Sequence, residues 1–437
     1  MNNRRLRWTI ALITFAATAA VYAEGVLLSG WIQVILSIPI VVSLFPTGSQ
    51  SLDRMLQNGL ITITAISLSV IGLDLILRPT FAHTLHYSPM NITSHKLPEL
   101  PLVGRWKPNL NIEAHDAYGD LAAMVGDPAV REVRRVEFRT DAYGFRNGPQ
   151  SSPIDVLVLG DSFPAGGGTT EEEVFARVLE TLYGFHTYNL AFPGGPYEQF
   201  INFAIEWPRL KVSSEPRMIW TFYTGNDMAD TAGEVWDVAH LPWKHGFSAW
   251  RVKFKSYRNE SPLRQLFEAI RIRIRGRPQD VITRSLPDGS PVLFLESQEK
   301  WGKASRHEIE QHPTYLKLMR TMTAMHELTT KRHVQLTVLI LPTKGEVYRW
   351  LLDARESQPE DQNASGFAEA ILEACSQTGM VCIDMKPVLI SEAERLYKTE
   401  NKLLWWRDDT HIGKYGHAAI ASYIAGPLHN KTRMAEP

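Results

Sequence analysis

The sequence is short of cysteine and of excess charge, and each shortage excludes a class of function. Its 437 residues carry 46 lysines and arginines against 47 acidic residues, a formal net charge of −1. This balance gives no overall positive field, so nucleic acid is not a predicted partner. The two cysteines, Cys375 and Cys382, have neither a CxxC spacing nor a histidine partner, so no metal site is predicted. They fit either one local disulfide in an oxidising compartment or two buried thiols.

Charged residues are also rare in long runs near the N-terminus. The runs cover Trp8–Ala23, Gly25–Phe45 and Gly59–Leu77, and arginines precede the first of them. Because the later runs approach the roughly 20 residues that span a bilayer, residues 1–78 are predicted to form a membrane region of about three transmembrane helices. The first run is alternatively a signal peptide, since Val21-Tyr22-Ala23 resembles a cleavage site. A buried helix of a soluble protein is the remaining alternative.

Both membrane topologies give the same orientation. Arginines are retained on the cytoplasmic side, so three spans, or a cleaved signal followed by two spans, place the rest of the chain outside the cytoplasm. The predicted location is the plasma (inner) membrane, with the remaining domain extracytoplasmic, in the periplasm.

The rest of the chain is predicted to form a connector and one α/β domain. Residues 79–150 lack a clear period and are predicted to be a connector with short strands joined by a turn around Tyr143-Gly144. Residues 151–430 alternate apolar runs with amphipathic stretches, which predicts a parallel sheet with right-handed helical crossovers. The predicted strands are Ile154–Leu159, His186–Ala191, Arg217–Tyr223, Gln335–Leu341 and Val381–Ile383. The predicted helices cover residues 171–182, 197–207, 315–331 and 414–424.

An insertion at residues 230–312 interrupts this alternation and is far longer than an ordinary connection. Within it, the spacing of apolar residues over Pro262–Arg277 predicts an amphipathic helix, with apolar residues on one side and arginines mostly on the others. This helix is interpreted either as a solvated helix packed on the sheet domain or as a lid or docking surface for anionic lipid, polymer or a partner protein.

A serine follows the first strand of the predicted sheet. Gly160-Asp161-Ser162 come directly after Ile154–Leu159, at the end of the strand where open α/β sheets bind their ligands. Thr170 and Glu173 have the spacing of a capping box, which predicts a helix start beyond the glycine-rich loop. An ordinary turn is the alternative, since these residues favour turns. The functional interpretation therefore requires partners for Ser162.

The candidate base is a histidine near the end of the chain. His411 follows Asp408 and Asp409 and precedes a predicted helix. Histidine has the side-chain pKa nearest neutrality, so it suits the removal of a proton from serine, and a carboxylate orients such a base. We assign His411 as the base and Asp408 as the orienting acid, while Asp409 offers a competing Asp-x-His spacing. A helix N-cap beside a surface histidine is the alternative, and His417 is interpreted as structural.

Two further strand ends offer hydrogen-bond donors. Gly194 follows the second predicted strand and Asn226 follows the third. The carboxyl ends of parallel strands lie along one edge of a sheet. The backbone at Gly194 and the side-chain amide of Asn226 are therefore candidate oxyanion donors on the same edge as Ser162, although both segments also favour ordinary turns.

Four blocks of the sequence resemble those of the SGNH (GDSL-type) hydrolase superfamily. In chain order they are Gly160-Asp161-Ser162, Gly194, Gly225-Asn226-Asp227 and Asp408-x-x-His411. The resemblance covers roughly residues 154–424 without the insertion. It implies a flavodoxin-like three-layer α/β/α sandwich, with Ser162 as the nucleophile, His411 as the base and Asp408 as its acid. It also implies an oxyanion hole formed by the N–H groups of Ser162 and Gly194 and the side chain of Asn226. Phe145-Arg146 and residues 342–348 look like the membrane-anchored or exported branch, which includes polysaccharide O-acetylation proteins.

The resemblance implies a membrane-anchored extracytoplasmic serine esterase or O-acyltransferase that needs no metal or cofactor. The expected substrate is an ester, such as an acylated polysaccharide or lipid of the cell envelope. Two alternatives stay open. One is an O-acetyltransferase component of a polysaccharide-modifying complex, supplied by a separate membrane acyl-donor partner. The other is a non-catalytic SGNH-like binding or scaffold module.

Overall fold

The structure, a computed structural model, describes residues 3–23, 40, 49–81, 88–92, 94–149, 153–230, 233, 235–275, 280–353 and 355–429. The strands are β1 (Ser94–Lys96), β2 (Gly104–Trp106), β3 (Asn111–Ala117), β4 (Arg134–Arg139), β5 (Ile154–Leu159), β6 (Thr187–Asn189), β7 (Val212–Tyr223), β8 (Val281–Ser285), β9 (Pro291–Leu295), β10 (Gln335–Leu341) and β11 (Val381–Asp384). The α-helices are α1 (Asn3–Ala23), α2 (Gln50–Phe81), α3 (Pro89–Ile92), α4 (Asp120–Val125), α5 (Phe175–Tyr183), α6 (Pro196–Glu206), α7 (Asp227–Asp230), α8 (Gly246–Asn259), α9 (Pro262–Arg275), α10 (Glu296–Lys303), α11 (Arg306–Glu310), α12 (Tyr315–Lys331), α13 (Lys344–Leu352), α14 (Gly366–Thr378), α15 (Lys386–Glu400) and α16 (Lys414–His429).

The chain divides into two compact units. The first contains residues 1–86 and 244–277, and the second contains residues 87–243 and 278–437. The predicted insertion is therefore split, because α8 and α9 belong with the N-terminal helices. The interpretation of residues 262–277 as a solvated helix packed on the sheet domain stays a prediction. Within the first unit, α9 contacts α1 and α2 through Leu263.

In the first unit, α1 and α2 pack side by side. The hydroxyl oxygens of Thr14 and Thr64 are 2.8 Å apart across this contact, and Ala11 and Leu60 are buried beside them. Within the described part of the chain, Gln50–Arg78 is the one segment long and apolar enough to cross a membrane, with a mean hydropathy of 2.3. The predicted run Gly25–Phe45 lies, except for Ile40, outside the described residues. The third run, Gly59–Leu77, lies within α2, which begins nine residues before it, at Gln50.

The second unit is built on a five-stranded parallel sheet. Its strand order is β6-β5-β7-β10-β11, which is the flavodoxin-like order 2-1-3-4-5. Alternate residues of each strand face opposite layers, as the pleat requires. Leu157 of β5 packs with Phe200 of α6 on one side, while Val158 packs with Phe175 of α5 on the other. The predicted α/β class and three-layer α/β/α sandwich are confirmed.

The strands at the centre of this sheet match the sequence most closely. β5 and β10 have the predicted bounds, β6 is shorter, and β7 begins earlier, at Val212. The helix predicted from residue 171 is interrupted, since a 3₁₀ turn ends at Glu173 and α5 begins at Phe175. The predicted capping box is wrong. The Thr170 hydroxyl instead accepts a hydrogen bond from the Glu137 N–H, at 2.8 Å.

The predicted connector is part of the sheet unit from residue 88 onward in the described chain. β4 pairs antiparallel with β3, so the turn around Tyr143-Gly144 does not join two strands as predicted. The β8–β9 hairpin of the insertion packs on α4 through Leu293. The β8–β9 hairpin also contacts the loop that precedes α16, since the Leu293 N–H donates a hydrogen bond to the Arg407 carbonyl.

Candidate active site

Ser162 lies in a tight turn directly after the central strand β5. A Cβ atom at Gly160 would collide with the Thr221 hydroxyl of neighbouring β7, so only glycine fits where the chain leaves the sheet. The Asp161 carboxylate accepts the Phe163 N–H at 2.9 Å and closes the turn. This geometry leaves the Ser162 side chain at the carboxyl edge of the sheet, as predicted.

A chain of hydrogen bonds joins Ser162 to an imidazole and a carboxylate. Ser162 Oγ is 2.8 Å from His411 Nε2, and His411 Nδ1 is 2.7 Å from Asp409 Oδ1. An ionised carboxylate only accepts, so Nδ1 carries a proton, and in the neutral imidazole Nε2 is left to accept one from the serine. Gly167 lies against the ring, where a Cβ atom would be 2.7 Å from imidazole carbon atoms. The predicted convergence of Ser162 and His411 is present.

The expectation that Asp408 orients the imidazole is wrong in geometry. Asp408 is fully buried and its Oδ2 accepts the N–H groups of Gly119 and Glu132, both at 2.8 Å. Its Oδ1 accepts from Arg134 at 2.8 Å. These contacts turn the Asp408 carboxylate toward residues 119–134, in the segment predicted to be a connector. The competing Asp409 contacts His411 instead.

Arg134 ties both acidic side chains to the serine loop. One guanidinium nitrogen donates to Asp408 and another to Asp409, each at 2.8 Å, while Nε donates to the Gly168 carbonyl at 2.9 Å. The guanidinium also stacks on the Trp406 ring, 4.3 Å from its centroid. The planar fork of arginine suits such a bridge. Sequence reasoning missed this residue, because β4 is about 270 positions away from the acids that it contacts.

Two more buried cationic side chains donate hydrogen bonds to backbone carbonyl oxygens of the loops that carry Ser162 and His411. Arg146 donates to the carbonyl oxygens of Ala165, Gly166 and Thr169 and pairs with Glu171 at 2.8 Å. Lys344 donates to four carbonyl oxygens, and three of them belong to the loop that carries His411. They are those of Leu293, Trp406, Arg407 and Asp409. Both cations lie in segments that the family resemblance singled out, and buried carbonyls without helix or sheet partners explain why cations are needed there.

Removing the Lys344 ammonium is expected to destabilise the protein. Burial lowers the pKa of Lys344 to about 8, and Lys344→Met would leave buried carbonyls of the 406–409 loop without a donor. We expect a loss of about 3 kcal/mol in the free energy of unfolding, read as a lower midpoint of thermal unfolding in detergent. The matched variant Lys303→Met, at an exposed position, is expected to keep the wild-type midpoint. Equal midpoints for the two variants would contradict this role.

The charges around His411 favour its protonated form. Burial alone would lower the pKa of His411, but the carboxylates of Asp409, Asp120 and Asp161 outweigh that effect and raise it to about 9. Burial would likewise raise the pKa of Asp409, but His411 and Arg134 lower it below its usual value. The pair therefore rests as an imidazolium beside a carboxylate in the free protein at neutral pH.

This pairing sets the expected pH dependence. Only neutral His411 can accept the serine proton, so kcat/KM for an ester is expected to rise with pH toward a midpoint near 9. The same shift stabilises the fold below pH 6.5, the ordinary pKa, and that contribution is lost as the pH rises through about 9. The test is kcat/KM against pH, corrected for spontaneous hydrolysis. A profile flat from pH 6 to 9 would contradict the assigned charge state.

Asp120 supports the turn between the acid and the base. Its two carboxylate oxygens accept the N–H and the hydroxyl of Thr410, at 2.8 and 2.6 Å. Burial, followed by the neighbouring Asp409 charge, raises the pKa of Asp120 to about 7. Ligand atoms of Asp120, Asp409 and His411 lie within 4.8 Å of one another, as metal ligands do. Hydrogen bonds to Thr410, Arg134 and Ser162 are sufficient to explain why these three side chains lie together. That the site works without a metal ion stays a prediction.

The other predicted residues occupy the expected positions in the topology. Ser162, Gly194 and Asn226 follow β5, β6 and β7, which are neighbours in the sheet. The Asn226 amide donates to Asp230 Oδ2 at 2.8 Å, which leaves its second N–H available by count. The oxyanion-hole assignment stays a prediction. His417 is buried beside α5 and accepts the Phe175 N–H, which is consistent with a structural role, and burial lowers its pKa to about 3.

A flavodoxin-like sandwich with a serine–histidine–aspartate chain at the carboxyl edge of its sheet is the arrangement that the sequence resemblance implied. At the level of the superfamily, the chain is similar to the SGNH-type hydrolases in its ordered blocks and its fold.

No protein-family model matches the sequence. Over 140 residues the chain is 25% identical to the alginate biosynthesis protein AlgX of Pseudomonas putida, a match over 32% of this chain and 29% of that protein. The match thus spans less than a third of the length of this relative.

Two solved esterases are among the structures that the chain resembles. The first is the psychrotrophic esterase EstA from Pseudoalteromonas sp., with 12% identity, a TM-score of 0.29 and coverage of 63% of this chain and 98% of that chain. The second is the acetyl xylan esterase Est2A from Butyrivibrio proteoclasticus, with 10% identity, a TM-score of 0.28 and coverage of 70% and 71%.

Proposed function

We propose that this protein is a membrane-anchored serine esterase or acyl-transfer enzyme that works through an acyl-serine intermediate. One observation carries the proposal. Ser162 Oγ, both ring nitrogens of His411 and the Asp409 carboxylate form one hydrogen-bonded chain with separations of 2.8 and 2.7 Å. Such a chain activates a hydroxyl that is otherwise a weak nucleophile.

The reaction follows from this geometry. Ser162 Oγ attacks the ester carbonyl while His411 Nε2 takes the hydroxyl proton, and Asp409 stabilises the resulting imidazolium. The tetrahedral intermediate collapses, His411 returns the proton to the leaving alcohol, and the acyl group stays on Ser162. Water or a sugar hydroxyl then attacks the acyl-serine, with His411 again as the base, and the free serine is restored.

The proposed oxyanion hole consists of the N–H groups of Ser162 and Gly194 and the side-chain amide of Asn226. Adjacent strand ends support it, since β5 lies between β6 and β7. Each such donor is typically worth on the order of 3 kcal/mol in transition-state stabilisation.

The proposed substrate is an acylated glycan or lipid of the cell envelope. The match to a protein named for alginate biosynthesis favours a polysaccharide, and it also favours transfer of an acyl group to a glycan as the second candidate function. The donor would then come from a separate membrane partner. A scaffold role that needs no chemistry is less well supported, because it gives no reason for the hydrogen-bonded chain.

The proposed anchor is α2, with the sheet unit outside the cytoplasm. Three features support it. They are the span Gln50–Arg78, the hydroxyl contact between Thr14 and Thr64 that is typical of packed membrane helices, and the disulfide between Cys375 and Cys382, which favours an oxidising compartment. A reporter fused after Leu77 should be active outside the cytoplasm, and activity only in the cytoplasm would contradict the proposed orientation.

The function is tested with the purified full-length protein and an aryl acetate, with and without an added glycan oligomer. An esterase releases acetate at a rate that the glycan does not change. A transferase makes acetylated glycan, seen by mass spectrometry, at the expense of free acetate. Absence of both products with folded protein would overturn the enzymatic proposal and leave the scaffold.

A further inference from the structure

Helix α8 presents a stripe of aromatic rings to its surroundings. Phe247, Trp250 and Phe254 recur at spacings of three and four residues, which places them on one face of the helix. Their ring centroids follow one another at 5.4 and 5.1 Å with nearly parallel planes. Phe247 is 71% exposed and Trp250 is 52% exposed. Ordered, exposed aromatic surface of this kind marks an interaction face.

The charge of α8 has a single sign. The helix contains no acidic residue, and its basic residues are Arg251, Lys253, Lys255 and Arg258. Lys253 and Lys255 are exposed. Lysine and arginine stems reach past apolar surface while their charged ends stay in a polar layer. This face therefore suits a surface that is apolar inside and negatively charged outside.

The next helix continues the apolar surface. Leu263, in the first turn of α9, is buried in a cluster with Val21 of α1 and residues of α2. One and two turns later, Leu266, Phe267 and Ile270 lie on the same side of the helix and are 43 to 48% exposed. The apolar face of α9 thus begins against the proposed membrane helices and continues with side chains that are about half exposed.

Polar contacts fix the junction of α8 and α9 to the end of α2. Ser261 Oγ donates to Asp74 Oδ1 at 2.7 Å, and the Leu263 N–H donates to the same atom at 3.2 Å. Arg78 pairs with Asp74 at 3.0 Å and donates to the Tyr257 carbonyl at 3.0 Å. Asp74 and Arg78 end the segment Gln50–Arg78 that can cross a membrane. The two helices are therefore attached at the depth where that segment leaves the bilayer.

We propose that α8 and the start of α9 lie in the membrane–water interface at the outer end of α2. The aromatic stripe faces the acyl chains, and the basic residues contact anionic phospholipid headgroups. Amphipathic helices with these features bind such interfaces, where aromatic and basic side chains concentrate. This inference rests on the proposed membrane anchoring of α2 and adds a lipid-binding surface that fixes the height of the insertion at the membrane.

The test uses the full-length protein in nanodiscs with an environment-sensitive fluorophore on one introduced cysteine. Trp250→Cys places the label in the stripe, and Ser248→Cys places it on another side of the same helix. The native cysteines are paired in the disulfide. We expect the label at 250 to show a blue-shifted emission and quenching by lipid-borne quenchers. The label at 248 is expected to be quenched by aqueous iodide.

The outcomes separate the inference from the anchor. Equal iodide quenching at both positions, with the protein still resistant to carbonate extraction from membranes, would overturn the interfacial helix and leave the anchor intact. Extraction by carbonate would overturn both.

A charge variant tests the headgroup contact. For the wild-type protein, lipid quenching at 250 is expected to increase when anionic phosphatidylglycerol replaces part of the phosphatidylcholine. The increase should be lost in Lys253→Gln/Lys255→Gln and kept in the matched variant Lys300→Gln/Lys303→Gln. An increase that persists in the first variant would overturn the anionic-lipid part of the inference.

Discussion

Replacing Ser162 with alanine is expected to lower kcat for ester hydrolysis by about 10⁴-fold or more. The hydroxyl is the proposed nucleophile, and the variant has no oxygen beside His411 Nε2 with which to form the acyl ester. The change removes one oxygen atom beside Nε2 of His411, so the fold should persist. Initial rates with an aryl acetate measure the loss.

The matched control is Ser214→Ala, which removes an exposed hydroxyl from β7. Ser214 lies near the start of that strand, whereas the site is at the carboxyl edge of the sheet. This variant should keep the wild-type rate, and both variants should unfold at wild-type temperature. A folded Ser162→Ala protein with the wild-type rate would refute the nucleophile assignment.

The neighbouring aspartates are expected to differ sharply in their effects. Asp409→Asn should lower kcat by on the order of 10³- to 10⁴-fold, because an amide at the 2.7 Å contact with His411 Nδ1 no longer stabilises the imidazolium. It should also move the midpoint of the kcat/KM profile to lower pH, since the Asp409 charge helps to raise the pKa of His411 to about 9.

Asp408→Asn is the matched partner of that variant. Asp408 accepts two backbone N–H groups and an Arg134 donor, so its replacement should lower the midpoint of thermal unfolding. The pH midpoint should stay near 9, because Asp408 does not contact the imidazole in the described structure. If Asp408→Asn moved the pH profile and Asp409→Asn left it in place, the roles would be reversed.

Local sequence patterns were sufficient for the sheet and for the pair at its edge. β5 and β10 are continuous apolar runs bounded by turn residues, and this pattern is typical of strands that are covered on both faces of a sheet. Ser162 and His411 are 249 positions apart, yet the residues next to each of them in the sequence were enough to predict its role. One residue ends a buried strand, and the other precedes a helix. The parallel topology then brings the strand ends to one edge.

The choice between Asp408 and Asp409 could not be made in this way. Both precede His411 closely enough for a turn to aim either carboxylate at the ring. The structure decides through Gly119, Glu132 and Arg134, whose donors capture Asp408 and turn it away from the imidazole. These donors come from the segment predicted to be a mere connector, and no short pattern links the two regions.

The predicted capping box failed because a capping pattern does not identify its hydrogen-bond partner. The Thr170 hydroxyl accepts the Glu137 N–H instead of an N–H of its own helix. The amphipathic pattern of α9 likewise does not identify what its apolar side contacts, and the structure shows Leu263 packed with α1 and α2.

Intact-protein and peptide mass spectrometry after treatment with an organophosphonate tests the central claim most directly. If Ser162 is activated by His411, one phosphonate should attach to Ser162 in the wild-type protein. The label should be absent in Ser162→Ala and form far more slowly in folded His411→Gln. Labelling of another serine, or equal labelling rates at Ser162 with and without the imidazole, would contradict the account.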